Sequence, residues 1–381
     1  MIDKIRKGIK GNGYFDYSLF FIIIFMLCFG LVMLYSTSSY TAQIKYGNGA
    51  RFLIRQLVFD VAGVGVMLFT CLLSPSFIKK FSNYIYLFTV LSIFLVYPLG
   101  VELNGARRWV GIGPMTFQPA ELVKIGVIII IAFLAEKMTR KIRTFKGSIG
   151  LMFCGWIPAG LVYICTENLS SALIIAGITF IMVFVASPNY KGYLAFIAFV
   201  AVVVIGVIAY CKTLDVNDAG TFRVQRVVTW LNGDTTITDE NFQVVQGLYA
   251  IGSGGLFGKG LGKSVQKLGF VPEAENDMIY TIICEELGII GGISVILLFL
   301  FMIWRFMIIS TNASDLFSSM VVVGVMAHIS IQVILNIAVV TASIPNTGVT
   351  LPFISYGGTS VLILLAEMGM VLGVSRRIKI E

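Results

Sequence analysis

The chain of 381 residues is 57% hydrophobic and 13% charged, with a mean hydropathy of +0.90. No soluble domain carries that balance, so the class is a polytopic membrane protein. The net charge of +8 falls mostly in short connections and tails, where it orients spans and gives no ground for a nucleic-acid partner; the six cysteines lie in apolar runs without paired spacing, which excludes a disulfide framework and a cysteine metal site.

A window of about 20 apolar residues predicts ten spans, near 17–38, 57–74, 83–100, 119–136, 148–165, 171–187, 193–211, 277–304, 316–340 and 357–374. The first is too long for a signal-peptide core and lacks a small-residue cleavage site, so it is expected to remain as an anchor. Basic residues mark one side: Lys4, Arg6, Lys7 and Lys10, then Lys79 and Lys80, then Lys137, Arg140, Lys141, Arg143 and Lys146. Lys191, Arg305, Arg376, Arg377 and Lys379 continue it. Positive charge on short loops reads as cytoplasmic. The expected fold is therefore all-α, a single integral membrane domain over 1–381 with about ten transmembrane helices and both termini cytoplasmic. One large extracytoplasmic loop, 212–276, joins helices 7 and 8.

The first distinctive polar segment runs from Asn104 to Lys124. Arg107 and Arg108, beside Trp109, suit either an interfacial belt or bidentate binding of a diphosphate on the outward face. Gln118 and Pro119 lead into the fourth span, where Glu121 and Lys124 stand at i and i+3 and can pair on one helix face. That pair is either a self-neutralising packing device or one wall of a polar cavity.

In the long loop, Phe242, Val245, Leu248 and Ile251 have the spacing of a short helix lying in the membrane interface. A glycine-rich run from Gly252 to Ser264 follows. It is not a P-loop, because Phe257 stands where the first glycine belongs and no strand precedes it. The run reads as a flexible loop or as an anion-cradling nest, with Lys259, Lys263 and Lys267 attracted to anionic membrane lipids or to a lipid pyrophosphate.

Asp277, Glu285 and Glu286 then stand at the mouth and inside of a membrane span. Ionisable groups are costly in hydrocarbon, so three in one segment mark a site. His328, the lone histidine, reads as a packed or hydrogen-bonded core residue. The segment 344–360 breaks the helical pattern with prolines and glycines, and irregular backbone at membrane depth occurs where it is buried in protein or lines a cavity. A structural hairpin accounts for its glycines better than for Ser355, Thr359 and Ser360, which are candidate cavity residues.

Taken in order, these segments resemble the SEDS family (shape, elongation, division and sporulation), which includes FtsW, RodA and SpoVE. The resemblance is carried by Gly105 to Trp109, Gln118-Pro119 with Glu121 and Lys124, Gln243 to Gln246, Gly254 to Gly260, Pro272-Glu273, Asp277, Glu285 to Gly288, and Thr347 to Gly358. It extends over nearly the whole chain. Two places depart from the family pattern: Glu275-Asn276 where the family usually has His-Thr, and Thr166 to Ala172 where it often has Gln-Pro-Asp-Leu-Gly-Thr-Ala. The Val-Thr-Leu-Pro form at 349–352 leans toward the division and sporulation members.

The resemblance implies a peptidoglycan glycosyltransferase that polymerises lipid II at the outer face of the bacterial cytoplasmic membrane, releasing undecaprenyl pyrophosphate. It implies a class B penicillin-binding protein as transpeptidase partner within division or elongation machinery, and it aligns Asp277 with the family's essential aspartate. Inverting transfer from an α-linked pyrophosphate to a sugar hydroxyl needs a carboxylate base and cationic help for the leaving group. Asp277 is the candidate base. Arg107, Arg108, Lys124, Glu121, Gln118, Lys263 and Ser355 are candidate substrate-binding residues. A divalent cation, magnesium or manganese, is a candidate aid with Asp277 as a candidate ligand, and no organic cofactor is expected. Glu285 and Glu286, about 12 to 14 Å further along at about 1.5 Å per residue, are expected to line the interior, one of them bonded to neighbouring helices as structure. A lipid II flippase, or a scaffold for the transpeptidase, are alternatives from other classes.

Overall fold

The computed structural model describes residues 15–103, 106–113, 115–142, 144–188, 190–214, 222–232 and 241–378. The basic N-terminal residues Lys4 to Lys10, Asn104, Gly105, Arg143 and Lys379 lie outside them. Each of the ten expected spans contains helix: α1 (Tyr17–Tyr46), α2 (Arg51–Leu72), α4 (Ser82–Ile93), α6 (Pro119–Lys137), α8 (Phe145–Thr166), α9 (Leu169–Ala186), α10 (Tyr190–Cys211), α13 (Ile279–Thr311), α14 (Leu316–Val340) and α15 (Thr359–Ser375). Short helices α3 (Pro75–Lys80), α5 (Val96–Leu99), α7 (Thr139–Ile142), α11 (Phe222–Asn232) and α12 (Phe242–Gly254) join them.

Among the described residues, seven helices are long and apolar enough to cross a membrane. The other three expected spans fall short for identifiable reasons. α6 carries Glu121, Lys124 and Glu136 in its apolar run, while α4 and α15 are short. The expected 83–100 span is the clearest departure, since its helix stops at Ile93 and resumes for one turn, Val96–Leu99. A helix such as α10, with only 6% of its apolar window buried, makes sense with lipid as its solvent.

The expectation of an all-α chain needs one correction. β1 (Gly100–Leu103), β2 (Ala106–Ile112) and β3 (Met115–Phe117) form a three-stranded antiparallel sheet in the order β1-β2-β3. Val101 pairs with Trp109 and Glu102 with Arg107 across a register irregularity. The arginines therefore ride on a strand.

The two ends of the bundle differ in chemistry. At one end Arg305 grips the Asp16 carboxylate at 2.7 Å, Asp16 N–H donates to Ser375 Oγ, Lys79 pairs with Glu136 at 2.6 Å and Arg377 donates to Leu73 O. These are the flanks whose basic residues predict a cytoplasmic face. At the other end lie the sheet, α11, α12, the segment before α13 and the loop before α15.

The glycine-rich run is not a flexible loop. Its backbone docks on a kink in α13, where Gly288 takes φ 71° and ψ −172°. Lys259 N–H donates to Glu285 O and Gly260 N–H to Glu286 O, both at 2.9 Å, while Ile289 N–H donates to Gly255 O at 2.9 Å. Groups released from the α13 ladder are thus satisfied by the incoming segment, which is the condition for irregular backbone at membrane depth. A Cβ at Gly258 would overlap the Glu286 carbonyl, and one at Gly254 the Cys284 carbonyl. Gly258→Ala is therefore expected to detach the run from α13 and destabilise the protein by about 1–3 kcal/mol from overpacking, measured as a lower melting temperature in detergent; an unchanged melt would count against this docking.

Helix α12 forms where the apolar spacing predicts it. It buries its small and polar face, Gln246, Gly247, Ala250 and Gly254, and leaves Leu248 and Tyr249 outward. A Cβ at Gly247 would strike Met278. Close packing through small residues is how helices associate where lipid, not water, is the surrounding medium.

Candidate active site

Asp277 lies outside the spanning helices, two residues ahead of α13, and is 7% exposed. Gln243 of α12 donates Nε2–H to Asp277 Oδ1 at 3.0 Å. Asn336 of α14 holds the same residue by its backbone, donating Nδ2–H to Asp277 O at 2.7 Å and to Val349 O at 2.8 Å. Two segments far apart in sequence are thereby tied to one helix. Burial pushes the Asp277 carboxyl up to about 7, with nearby Glu273 adding to the rise, while Gln243 and Arg226 pull the other way. A carboxylate of that affinity at neutral pH is suited to take a proton from a hydroxyl.

Around Asp277, Asn346 Nδ2–H donates to Gln243 Oε1 at 2.7 Å and Arg226 of α11 donates to Asn346 O at 3.2 Å. Trp230 Nε1–H donates to Ala342 O at 2.7 Å, and Ser170 Oγ–H to Thr347 O at 2.6 Å. The departure at 166–172 thus falls on a turn where Asn168 caps α9 and Ser170 reaches the loop beside the site. At the second departure, Asn276 donates to the Glu273 side chain and Glu275 O accepts Tyr356 N–H at 2.9 Å.

The other expected site residues divide. Arg107 is exposed on β2 and Arg108 half-buried beside it. The sheet reaches the loop before α15 through Thr359 Oγ–H, which donates to Thr116 O at 2.8 Å. Gln118 is 9% exposed, at the position preceding α6. Lys263 is exposed on the glycine-rich segment. Ser355 is buried, and its Oγ accepts Leu351 N–H at 2.8 Å, closing the turn.

Glu121 and Lys124 pair at 2.7 Å as their spacing predicts, and the pair continues into a buried chain. Lys124 Nζ lies 3.2 Å from His328 Nε2, and His328 Nδ1 lies 2.8 Å from Glu367 Oε2. An ammonium only donates, so Nε2 is the acceptor and Nδ1 carries the proton toward Glu367. His328 is indeed a hydrogen-bonded core residue, and the network ties α6, α14 and α15 together.

Glu285 and Glu286 are both fully buried. Glu285 pairs with Lys259 at 2.6 Å and accepts from the Ser264 hydroxyl; Glu286 pairs with Lys267 at 2.7 Å and accepts from Ser36 of α1 at 2.7 Å. The expected bond to a neighbouring helix is the one from Ser36. Lys259 and Lys267, expected at lipid headgroups, are instead the counter-ions of these carboxylates. The glycine-rich segment passes close enough to α13 to deliver them. A cavity of about 460 Å³ opens beside Ser36 and Lys267, with apolar walls from Leu31, Val32, Tyr35 and Leu53.

Among the described residues no group of three or more His, Cys, Asp or Glu side chains could hold a metal ion. The Asp277 carboxylate accepts from the Gln243 amide and lies near the Glu273 carboxylate. Sequence reasoning missed Asn336, Asn346, Gln56 and Glu367. Gln56 Oε1 accepts the N–H groups of Gly357 and Gly358, and its Nε2 donates to Asp60. A polar residue inside an apolar run was the available signal for each of these but Asn346, which lies in a loop.

Residues 17–380 match the family described as cell cycle protein, FtsW/RodA/SpoVE. The chain belongs to the FtsW/RodA/SpoVE family. It is 36% identical over 367 residues to stage V sporulation protein E of Bacillus subtilis, covering 95% of this chain and 97% of that one. It is 34% identical over 383 residues to a probable peptidoglycan glycosyltransferase FtsW of Trichlorobacter lovleyi, covering 100% and 98%. In three dimensions it is similar to a chain in a structure of a peptidoglycan synthase complex that coordinates polymerization and crosslinking, with TM-score 0.77 and 25% identity over 95% of this chain and 98% of that one. The crystal structure of the rod shape determining protein RodA from Thermus thermophilus shares the fold, with TM-score 0.67 and 24% identity over 96% and 98%. The resemblance read from the FtsW/RodA/SpoVE motifs is thereby established for the whole chain.

Proposed function

We propose that this protein is a peptidoglycan glycosyltransferase of the bacterial cytoplasmic membrane, polymerising lipid II at the outer face with Asp277 as general base. The observation that carries the reading is a buried carboxylate, raised toward neutral pH and clamped by Gln243 and Asn336, in a chain whose relatives bear that activity in their names. The acceptor sugar hydroxyl attacks the donor's anomeric carbon, its proton passes to Asp277, and the bond to pyrophosphate breaks with inversion. Undecaprenyl pyrophosphate leaves. Of the cations expected at the site, Arg107 and Lys263 are exposed and Arg108 half-buried, placed to meet its phosphates; Lys124, committed to Glu121 and His328, acts through structure. Both termini are cytoplasmic, and the site end faces outward.

The partner in this reading is a class B penicillin-binding protein, since one structural neighbour belongs to a synthase complex. The similarity to a sporulation protein, together with Val349-Thr-Leu-Pro352, favours a division or sporulation role. Any divalent cation, magnesium or manganese, enters with the substrate pyrophosphate. The test is purified full-length protein with its transpeptidase partner and lipid II, with and without EDTA. Glycan polymer on a gel is expected. Lipid II crossing vesicle membranes without any polymer would establish the flippase alternative, which the buried Glu121–Lys124–His328–Glu367 chain also suits.

A further inference from the structure

An amide side chain has an accepting and a donating edge, and its partners decide which edge faces where. In the loop before α15, Gly348 takes φ +67°, a conformation that L side chains rarely adopt, and its N–H donates to Asn346 Oδ1 at 3.0 Å. A backbone N–H cannot reverse its role. Asn346 must therefore present Nδ2 on its far side, where it donates to Gln243 Oε1 at 2.7 Å. With Oε1 occupied as an acceptor, Gln243 turns Nε2 toward Asp277 Oδ1 at 3.0 Å and Pro272 O at 3.3 Å. The direction of every bond in this series follows from the first. The loop that starts it is fixed in turn by Arg226 on Asn346 O, Trp230 on Ala342 O, Ser170 on Thr347 O and Asn336 on Val349 O.

We propose that Asn346 is a positioning residue for the transfer reaction, acting through Gln243 to keep an N–H, and not a carbonyl oxygen, against the Asp277 carboxylate. An N–H there favours the ionised carboxylate, the form able to take the hydroxyl proton. A carbonyl oxygen in its place would favour the protonated, inactive form. Asn346 bonds to Gln243 and to its own loop and not to Asp277, so its effect is indirect. The assignment rests on Asp277 being the base. The charged groups bearing on that carboxylate are Glu273, in the segment ahead of α13, and Arg226 on α11; neither is altered in the test.

Asn346→Asp supplies two acceptors, one for Gly348 N–H and one facing Gln243, and so draws Gln243 Nε2–H to itself and turns the amide oxygen toward Asp277, against the hold of Pro272 O. In the full protein with its transpeptidase partner and lipid II, the acid limb of the rate–pH profile is expected to move up by about one pH unit, with about fivefold loss at pH 7 and recovery at higher pH. The added charge alone would also move the limb. The same change in a Gln243→Ala background isolates that contribution, and there the displacement is expected to fall to less than half. Asn346→Ala, which frees the Gln243 amide without reversing it, is expected to show a smaller displacement in the same direction.

An equal displacement in both backgrounds, a uniform loss across pH, or wild-type rates for Asn346→Ala at every pH would overturn the assignment of Asn346 while leaving Asp277 in place. Wild-type polymerisation by Asp277→Asn, run alongside, would overturn both.

Discussion

Asp277→Asn is expected to lower the polymerisation rate by about 10²–10⁴-fold, the usual contribution of a positioned general base. Asn keeps the side chain's size and can still meet Gln243, so the loss would report the missing basicity. The wild-type rate should rise as pH increases through about 7, where burial places the carboxyl, and then level off. The stability consequence has the opposite sense. A carboxyl whose affinity for protons is raised on folding contributes stability that is present below its unfolded value and lost as pH rises through its folded value. Wild type should therefore become less stable between about pH 4 and about pH 7, the value burial gives Asp277. Asp277→Asn lacks this dependence and is expected to melt higher than wild type at pH 8, a stability cost accepted for function. Thermal melts of both proteins at pH 5 and pH 8, beside the rate–pH profile, check the pair of claims; an active variant would remove Asp277 from the chemistry.

The largest structural effect is expected from Lys267→Met. Glu286 is fully buried, and Lys267 is its counter-ion at 2.7 Å, with Ser36 bridging the two. Removing one partner of a buried pair leaves an uncompensated charge and costs about 3–5 kcal/mol. The Gly258-to-Lys267 segment should then loosen from α13 and α1. Combining Lys267→Met with Glu286→Gln removes both charges and is expected to recover most of the loss. The two variants are compared by melting temperature in detergent, and a single variant as stable as wild type would mean that water or lipid headgroups reach Glu286.

Much of this protein was legible one segment at a time. A bilayer demands about 20 apolar residues per span, a local property, so runs of hydropathy pointed to the seven helices that are long and apolar enough to cross a membrane among the described residues. A carboxylate beside such a run is costly, which singled out Asp277 and the pair Glu285 and Glu286. Spacing along one helix also anticipated the Glu121–Lys124 pair at 2.7 Å. The strand that carries Arg107 and Arg108, with Glu102 paired to Arg107, was not anticipated, because a small sheet in a helical chain leaves only a short pattern.

What a residue far along the chain contributes could not be read this way. Ser36 meets Glu286 across 250 positions and Lys124 meets His328 across 204, and nothing in either local pattern selects that partner among similar apolar helices. Lys259 and Lys267 looked like headgroup ligands because their charge was visible and their burial was not. The turn that Ser355 closes with Leu351 was not visible in its local pattern. Asn336 and Asn346 looked like nothing in particular. Hydropathy and motifs revealed a helical membrane chain, its family and a carboxylate beside an apolar run, whereas which polar groups neutralise or orient one another emerges only in the folded bundle, because inside a bilayer each buried donor and acceptor must find a partner within the protein, and packing across helices sets which one it finds.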